Sequence, residues 1–387
     1  MNTLVVPQGS FRLARYPERR DERLRAWDAA DELLLEHLAG PDGPPIGPDA
    51  RVLLVNDGWG ALASALASHR PQALSDSFLA HQGTRANLAA NGLDPEAVQL
   101  LGTFDPPADR LDLVVMKVPR SVDRLDDQLR RLRPHLHPGT VVVAAAMTKH
   151  LHSSTLDRYA ELIGPTRTSL ARKKARLVFA TVDPTLAPGP GHWPTRFPLL
   201  PDGPVVTSQA GVFAADHLDI GTRFLRDHLP DIAAGARVLD LGCGNGVLGL
   251  SAALAEPTGH VTLVDESFAA VASAAATLAD ALGADALDRT RCVVGNGPFD
   301  LRTGPAIDPG SFDLVLNNPP FHEDNAVGDA VAWDMFQVAK QALRPGGELW
   351  VVGNRHLGYH LKLHRIFGHC QTIAGNPKFV VLRARRP

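Results

Sequence analysis

Cysteine is scarce in this chain of 387 residues. Cys243, Cys292 and Cys370 are the only three, all in the second half and without CxxC spacing. That excludes a disulfide framework and argues against a zinc site. An excess of either charge is also missing: 39 Lys and Arg stand against 42 Asp and Glu, for a net charge of -3. A wholly basic nucleic-acid coat protein is therefore excluded, though an enzyme with one local basic face is not. No apolar run approaches the ~18 residues of a membrane span. The N-terminal MNTLVVPQGSFRLARYPERRDE has no apolar stretch long enough for a secretory signal. The expectation is a cytoplasmic protein. What is present is ordinary for a globular chain, with 44% hydrophobic and 21% charged residues. The length suits two or three domains with ample core.

The second half has the clearer pattern. Arg237-Val238-Leu239-Asp240-Leu241 reads as a short apolar strand running into Gly242-Cys243-Gly244-Asn245-Gly246, with an apolar helix from Val247 to about Ala255. Further strands are expected at His260–Val264 ending on Asp265, around Cys292–Val294, at Phe312–Leu316 and at Glu348–Val352. A helix is expected around Trp333–Leu343, followed by a turn at Pro345-Gly346-Gly347. Strands alternating with helices at this spacing argue for a parallel, doubly wound α/β sheet. The chain closes on two strand-like pieces, Cys370–Ile373 and Lys378–Arg383, whose short connection requires antiparallel pairing.

The first half repeats this order with altered motifs. Arg51–Gly60 lies over Arg237–Gly246, keeping glycines at the places of Gly244 and Gly246 but with Leu54 for Asp240 and Asn56 for Gly242. Ser75-Asp76-Ser77-Phe78 echoes Asp265-Glu266-Ser267-Phe268, and Asp112–Pro119 lies over Asp313–Pro320 with Lys117 in the place of Asn318. Pro138-Gly139 and Lys149-His150-Leu151 parallel Pro345-Gly346 and Arg355-His356-Leu357. Five matches in one order point to a duplication. The Pro- and Gly-rich stretch Asp183–Pro204 resists helix and reads as the connection, giving domains 1–190 and 191–387. Two basic clusters are candidates to meet phosphate. Arg12, Arg15, Arg19, Arg20, Arg23 and Arg25 interleave with Glu18, Asp21 and Glu22, which fits a solvated face; Arg172, Lys173, Lys174 and Arg176 form a denser run.

The glycine loop between strand and helix lets backbone approach a ligand, and Asp265 at the end of the next strand is placed to accept from both hydroxyls of a ribose. Gly244-x-Gly246-x-x-Gly249 also matches the dinucleotide pattern, so a nicotinamide cofactor stays open at this point. Asp240 shifts the balance: a carboxylate beside the loop serves a cationic ligand such as S-adenosylmethionine better than a pyrophosphate. Its alternative role is a helix or loop cap.

Asn318-Pro319-Pro320-Phe321 follows an apolar strand and should project from the carboxyl end of the sheet, where such folds bind ligands. The prolines stiffen the loop and leave carbonyls without local donors. The Asn318 amide oxygen and the Pro319 carbonyl can both accept from one planar amino group, while Phe321 offers a face for a base. Methyl transfer to an exocyclic amine needs these features, because its lone pair is delocalised and must be oriented. No metal is required.

At this point VLDLGCGNGVLGL and NNPPFH, with the upstream AGVFAADHLDIGTRFLRDHLP, resemble the tandem-domain ribosomal RNA guanine-N2 methyltransferases. AWDAADELLLEHL, RKKARL, VAWDMF, NRHLGYHLKLHRIFG and KFVVL extend the resemblance over nearly the whole chain, nearest to the large-subunit (23S) rRNA enzymes of that family. The resemblance implies two tandem Rossmann-like class I methyltransferase domains with mostly parallel seven-stranded sheets whose last strand is antiparallel. The first would be degenerate, bind no S-adenosylmethionine and assist RNA recognition. The second would hold the cofactor on Gly242, Gly244 and Gly246, with Asp240 near its methionine end, Asp265 on the ribose and Asn296 near the adenine. Phe213 and Asp219 lie in the segment that resembles the family's cofactor-covering motif, whose other reading is a capped helix start. Asn318, Pro319, Pro320 and Phe321 would hold a guanine flipped out of its helix, with N2 attacking the sulfonium methyl in line. Proton loss can follow transfer, so neither His322 nor Glu323 is assigned as a base. Lys117 would meet a phosphate or be a buried structural lysine. The partner implied is 23S rRNA or a large-subunit particle, and the protein is expected to be a monomer. Rival readings are the same chemistry on 16S rRNA, amino methylation of DNA adenine or protein glutamine, and a non-catalytic RNA-binding or assembly factor.

Overall fold

In a computed structural model the chain forms two compact units, Met1–His192 and Trp193–Pro387. The structure describes residues 1–19, 22–283, 288–297, 307–320 and 325–387. Arg20, Phe321, His322 and Glu323 therefore lie outside the described residues.

Each unit is built on one seven-stranded sheet. From edge to edge the second unit's sheet runs Thr290–Val294, His260–Asp265, Arg237–Leu241, Phe312–Asn317, Leu343–Asn354, Phe379–Arg385 and Gln371–Gly375. All neighbours pair parallel except Phe379–Arg385, which is antiparallel to both strands beside it. The first unit repeats the order with Gln99–Leu101, Gln72–Leu74, Val52–Val55, Leu113–Lys117, Val141–Met147, Ala175–Thr181 and Thr166–Thr168. There Ala175–Thr181 is the antiparallel strand. The expected α/β plan of two mostly parallel, Rossmann-like sheets is the one adopted.

The central strands are mostly apolar because both faces are covered by helices. In the first unit, Leu53, Val55, Val114 and Met116 belong to one core, whereas Val52, Leu54, Leu113 and Val115 belong to the other. In the second, Leu239, Leu241 and Val315 face one side, and Val238, Leu314 and Leu316 the other. Residues alternate as the pleat dictates.

The two copies also share backbone devices. The Arg51 amide donates to the Asp112 carboxylate at 2.8 Å and the Arg237 amide to Asp313 at 2.7 Å. Ser77 and Ser267 cap their helices by accepting from Ala80 and Ala270, each at 3.1 Å. Gly60 and Gly246 start their helices in the left-handed region, at φ +81° and +84°. A Cβ on Gly60 would come within 2.7 Å of Thr84 Cα, and one on Gly246 within 3.0 Å of Ala274 Cα. Both glycines are thus required twice, by backbone conformation and by close helix approach.

Three elements differ from expectation. The helix expected from Trp333 begins at Asn325; Gly328 and Asp329 are weak helix formers that blur its start. Pro345-Gly346-Gly347 does not precede a strand but lies inside one. Leu343 pairs with Phe312 and Glu348 with Leu314, so the extra residues are absorbed as a bulge. The Pro-rich connection ends in a hairpin, Thr195–Pro198 with Val205–Ser208, because Phe197 and Val206 are buried there against the second unit's core.

Candidate functional site

At the carboxyl end of strand Arg237–Leu241 the chain turns through the glycine loop. The amides of Gly242 and Cys243 both donate to the Val264 carbonyl, at 2.8 and 3.1 Å. Asp265 fastens the loop: its Oδ2 accepts from the Gly244 amide at 2.9 Å and its Oδ1 from the Ser267 amide at 3.0 Å. A Cβ on Gly242 would lie 2.6 Å from Met335 Cε, so a side chain there would close the space beside the loop.

Asp240 is 1% exposed. Its Oδ2 accepts from the Gly249 amide at 2.8 Å in the first turn of helix Val247–Ala255, so the capping role read from the sequence is real. Its Oδ1 is buried and has no partner among the described residues. Burial, reinforced by the Asp265 charge and opposed by the Gly249 hydrogen bond, pushes the carboxyl up to about 7. A buried acceptor held half-satisfied next to the loop is what an incoming cation would stabilise.

Asn296 follows the strand Thr290–Val294, whose Val294 pairs with Asp265. Its Oδ1 is likewise buried and unpartnered among the described residues. The segment around Phe213 lies against the loop: Asn245 Nδ2 reaches Ser208 Oγ at 3.2 Å and the Ala214 carbonyl at 3.4 Å, and Val212 packs on Ala269 and Ala270. Phe213 itself is 53% exposed.

Asn318 stands one residue beyond strand Phe312–Asn317. Its Nδ2 donates to Thr222 Oγ1 at 2.8 Å and to Asp219 Oδ2 at 3.3 Å. The Asp219 Oδ2 that accepts from the Thr222 amide also faces the Asn318 amide, and this sets the amino side of Asn318 toward it. The Asn318 Oδ1 is left buried without a partner among the described residues. Pro319 is buried and Pro320 exposed, and no donor among the described residues reaches the Pro319 carbonyl. Asp219, expected on the cofactor cover or as a helix cap, caps helix Ile220–Arg226 through the Thr222 amide at 2.8 Å and also braces Asn318.

Two contributors were not legible in the sequence. Thr222 gave no signal beyond its place in the first turn after an Asp cap. Asn317 is fully buried and donates from Nδ2 to the Leu241 carbonyl at 2.6 Å, tying the Asn-Pro-Pro loop to the glycine loop. Its strand-end position inside the motif was the only hint.

The first unit's equivalent is filled by its own side chains. Asn56 occupies the place of Gly242 with φ +61°, a conformation Asn tolerates, and exchanges hydrogen bonds with Gln128 at 2.9 and 2.8 Å. Ser75 replaces the Asp265 carboxylate. Of the two readings of Lys117, a phosphate contact or a structural lysine, the structure shows the second: its Nζ sits 2.8 Å from Asp28 and 2.7 Å from Asp31, half-buried between two helix-start carboxylates. Burial alone would lower this ammonium, but Asp31 and Asp28 outweigh it and hold Lys117 above the usual lysine value. In the second basic cluster, Arg172 pairs with Glu36 at 2.5 Å and Lys173 with Glu32 at 2.6 Å; Lys174 is exposed and Arg176 half-buried.

A duplicated, mostly parallel sheet whose second copy carries the glycine loop, the strand-end carboxylates and the Asn-Pro-Pro loop defines a methyltransferase. Residues 1–184 match the family of the RLMG N-terminal domain, and residues 204–383 that of the methyltransferase small domain. The chain is 55% identical over 389 residues to the ribosomal RNA large subunit methyltransferase G of Streptomyces griseus subsp. griseus, covering 99% of each. It is 46% identical over 390 residues to that of Pseudomonas savastanoi pv. phaseolicola, covering 100% of each. Among solved structures it resembles the T. thermophilus 16S rRNA N2 G1207 methyltransferase (RsmC) in complex with AdoMet and guanosine. That likeness has TM-score 0.76 at 25% identity and covers 100% of this chain and 98% of the other. The chain belongs to the ribosomal RNA large subunit methyltransferase G family.

Proposed function

We propose that this chain transfers the methyl group of S-adenosylmethionine to the exocyclic N2 of a guanine in 23S rRNA. The observation that carries the reading is the orientation of Asn318. With Nδ2 held by Thr222 and Asp219, the buried Oδ1 is the acceptor presented to a substrate amino group. Guanine N2 is a planar –NH2 with two hydrogens, and the Pro319 carbonyl offers the second acceptor. Two fixed acceptors favour the positive charge that grows on this nitrogen and aim its lone pair at the methyl donor. Phe321, next in the motif, is assigned the stacking role and Pro320 the stiffening of the loop.

The cofactor fits the residues present. S-adenosylmethionine supplies an activated methyl on a sulfonium. Asp240, through its unpartnered Oδ1, would hold the cationic methionine end, Asp265 the ribose, Asn296 the adenine, and Gly242, Gly244 and Gly246 the space between. The Phe213 segment would cover it. The large-subunit target is favoured over the small-subunit one by 55% identity to a large-subunit enzyme against 25% to a small-subunit enzyme. The half-satisfied Asp240 and Asn318 speak against a non-catalytic assembly factor. The first unit, closed by Asn56, Gln128 and Lys117, is assigned to RNA recognition without cofactor. Within it Lys174 leads the Arg172–Arg176 contacts, because Arg172 and Lys173 already hold carboxylates. We assign the protein to the cytoplasm as a monomer; no helix among the described residues is long and apolar enough to cross a membrane.

Asp240→Asn tests the cofactor site. Asn keeps the acceptor for the Gly249 amide but cannot become an anion. S-adenosylmethionine affinity, measured by calorimetry from about pH 6 to about pH 8, should rise with pH in the wild type as Asp240 ionises near 7. In the variant it should be weaker by roughly tenfold, about 1.4 kcal/mol, and flat with pH. Stability should move oppositely. The native pKa lies above the unfolded ~3.9, so the stabilising contribution is complete below about pH 4 and lost as pH rises through 7. At about pH 8 the cofactor-free variant should therefore be the more stable protein. Wild-type affinity that does not change over this range would remove Asp240 from the cation site.

A further inference from the structure

The last 39 residues, 349–387, contain seven Lys or Arg and four His but no Asp or Glu, in a chain whose net charge is -3. Seven of these eleven side chains fall into two groups in the folded unit. At the amino end of the sheet Arg383 lies 3.5 Å from Glu348, Arg385 donates to the Gly346 carbonyl at 2.8 Å, and Arg386 donates to the carbonyls of Gln341 and Leu343. Those three are engaged internally.

The carboxyl end is different. Arg355 and His356 leave strand Leu343–Asn354 in a single 3-10 turn, Lys378 lies in the turn before strand Phe379–Arg385, and His360 stands in the first turn of helix Tyr359–Phe367. All four are exposed. The Arg355 amide donates to the Lys378 carbonyl at 3.0 Å, which holds the two turns side by side. Among the described residues neither Arg355 nor Lys378 meets a carboxylate. The Lys378 ammonium lies over the Phe379 ring, 5.1 Å from its centroid. The Arg355 guanidinium lies against Gly375, where an added Cβ would be 3.4 Å from Nη2. Register fixes the place of this surface relative to the methyl-accepting loop. Asn317 pairs with Val351, so Arg355 starts three residues beyond the level of Asn318 and one strand across. At 3.3 Å per residue and 4.8 Å between strands, that is about 11 Å.

We propose that Arg355 and Lys378 form a phosphate-binding surface for the RNA strand flanking the target base, with His356 and His360 at its rim. The proposal rests on the reading of rRNA as substrate and adds the face of the catalytic unit that grips it. A phosphate approaching these cations displaces only water and counterions, whereas one approaching Arg172 or Lys173 must first break an ion pair. The surface also lies at the same sheet end as Asn318, where a strand carrying a flipped base must pass.

The test is the double variant Arg355→Gln/Lys378→Gln in the full chain, with Arg383→Gln as a control. RNA affinity is measured with large-subunit rRNA lacking its own modifications, at several salt concentrations, beside S-adenosylmethionine affinity by calorimetry. Loss of two phosphate contacts should weaken RNA binding by roughly tenfold and reduce the slope of log K against log salt by about 1.4, at ~0.7 per phosphate of a single strand. S-adenosylmethionine affinity should stay within about twofold, which reports an intact catalytic unit, and Arg383→Gln should leave the slope unchanged. If the double variant binds rRNA with wild-type affinity and slope while the wild type methylates it, the surface is refuted and the proposed reaction stands. A wild type that transfers no methyl group to any rRNA overturns the reaction, and the surface with it.

Discussion

Asn318→Ala is expected to lower the rate of methyl transfer by about 10²–10³-fold, about 2.7–4 kcal/mol, while S-adenosylmethionine binds within about twofold of wild type. The magnitude is that of removing one fixed electrostatic partner from a preorganised site. The Ala variant loses the acceptor Oδ1 and leaves the Thr222 hydroxyl without the Asn318 amide. Single-turnover kinetics at saturating RNA separate the chemical step from binding. Thr222→Val should reproduce part of the loss, roughly tenfold in rate, because Asn318 loses its 2.8 Å partner and is then held by Asp219 alone, at 3.3 Å. Thr222→Ser should restore it. A Thr222→Val enzyme with unchanged single-turnover rate would mean that the orientation of Asn318 is set elsewhere.

Lys117→Ala is expected to cost the first unit about 3–5 kcal/mol, the usual consequence of deleting one partner of a buried ionic group. Asp31 is 3% exposed and shares its Oδ2 between Lys117 Nζ at 2.7 Å and the Asp28 amide at 2.8 Å. Burial already pushes the Asp31 carboxyl up, with Lys117 as the main opposing influence. Without the ammonium, two carboxylates remain together and one must protonate or the helix start must open. The sign with pH follows. A folded pKa raised further means that stability falls as pH climbs through it, so the deficit against wild type should be largest at neutral pH and shrink on acidification. Denaturant titration of the full chain at several pH values, beside hydrogen exchange of helix Ala29–Leu38, checks this. S-adenosylmethionine affinity in the second unit should not change. Loss of RNA binding in a variant of undiminished stability would return Lys117 to the phosphate role.

Much of the fold was readable because its signals are local. Val52–Val55 and Val238–Leu241 are apolar at nearly every position, as strands buried on both faces must be, and each runs into glycines that a tight turn needs. The duplication was readable for the same reason: Asp112 and Asp313 stand at equal distances in sequence before Lys117 and Asn318 and make the same backbone hydrogen bond. The unreadable contacts join distant parts of the chain. Asn318 meets Thr222 across 96 residues and Asp219 across 99, so nothing near either residue announces the pairing. Lys117 finds Asp31 across 86 residues, and only the assembled unit decides between a phosphate and a carboxylate partner. The capping role of Asp240 could be named from sequence, but its unpartnered Oδ1 depends on burial beneath the whole sheet end.

The central claim is tested most directly by methyl transfer from labelled S-adenosylmethionine to 23S and 16S rRNA lacking their own modifications, followed by digestion and mass spectrometry of the labelled nucleoside. The account predicts N2-methylguanosine at a single position in 23S rRNA, absent with the Asn318→Ala enzyme. Label in another nucleoside, or in 16S rRNA instead, would contradict it.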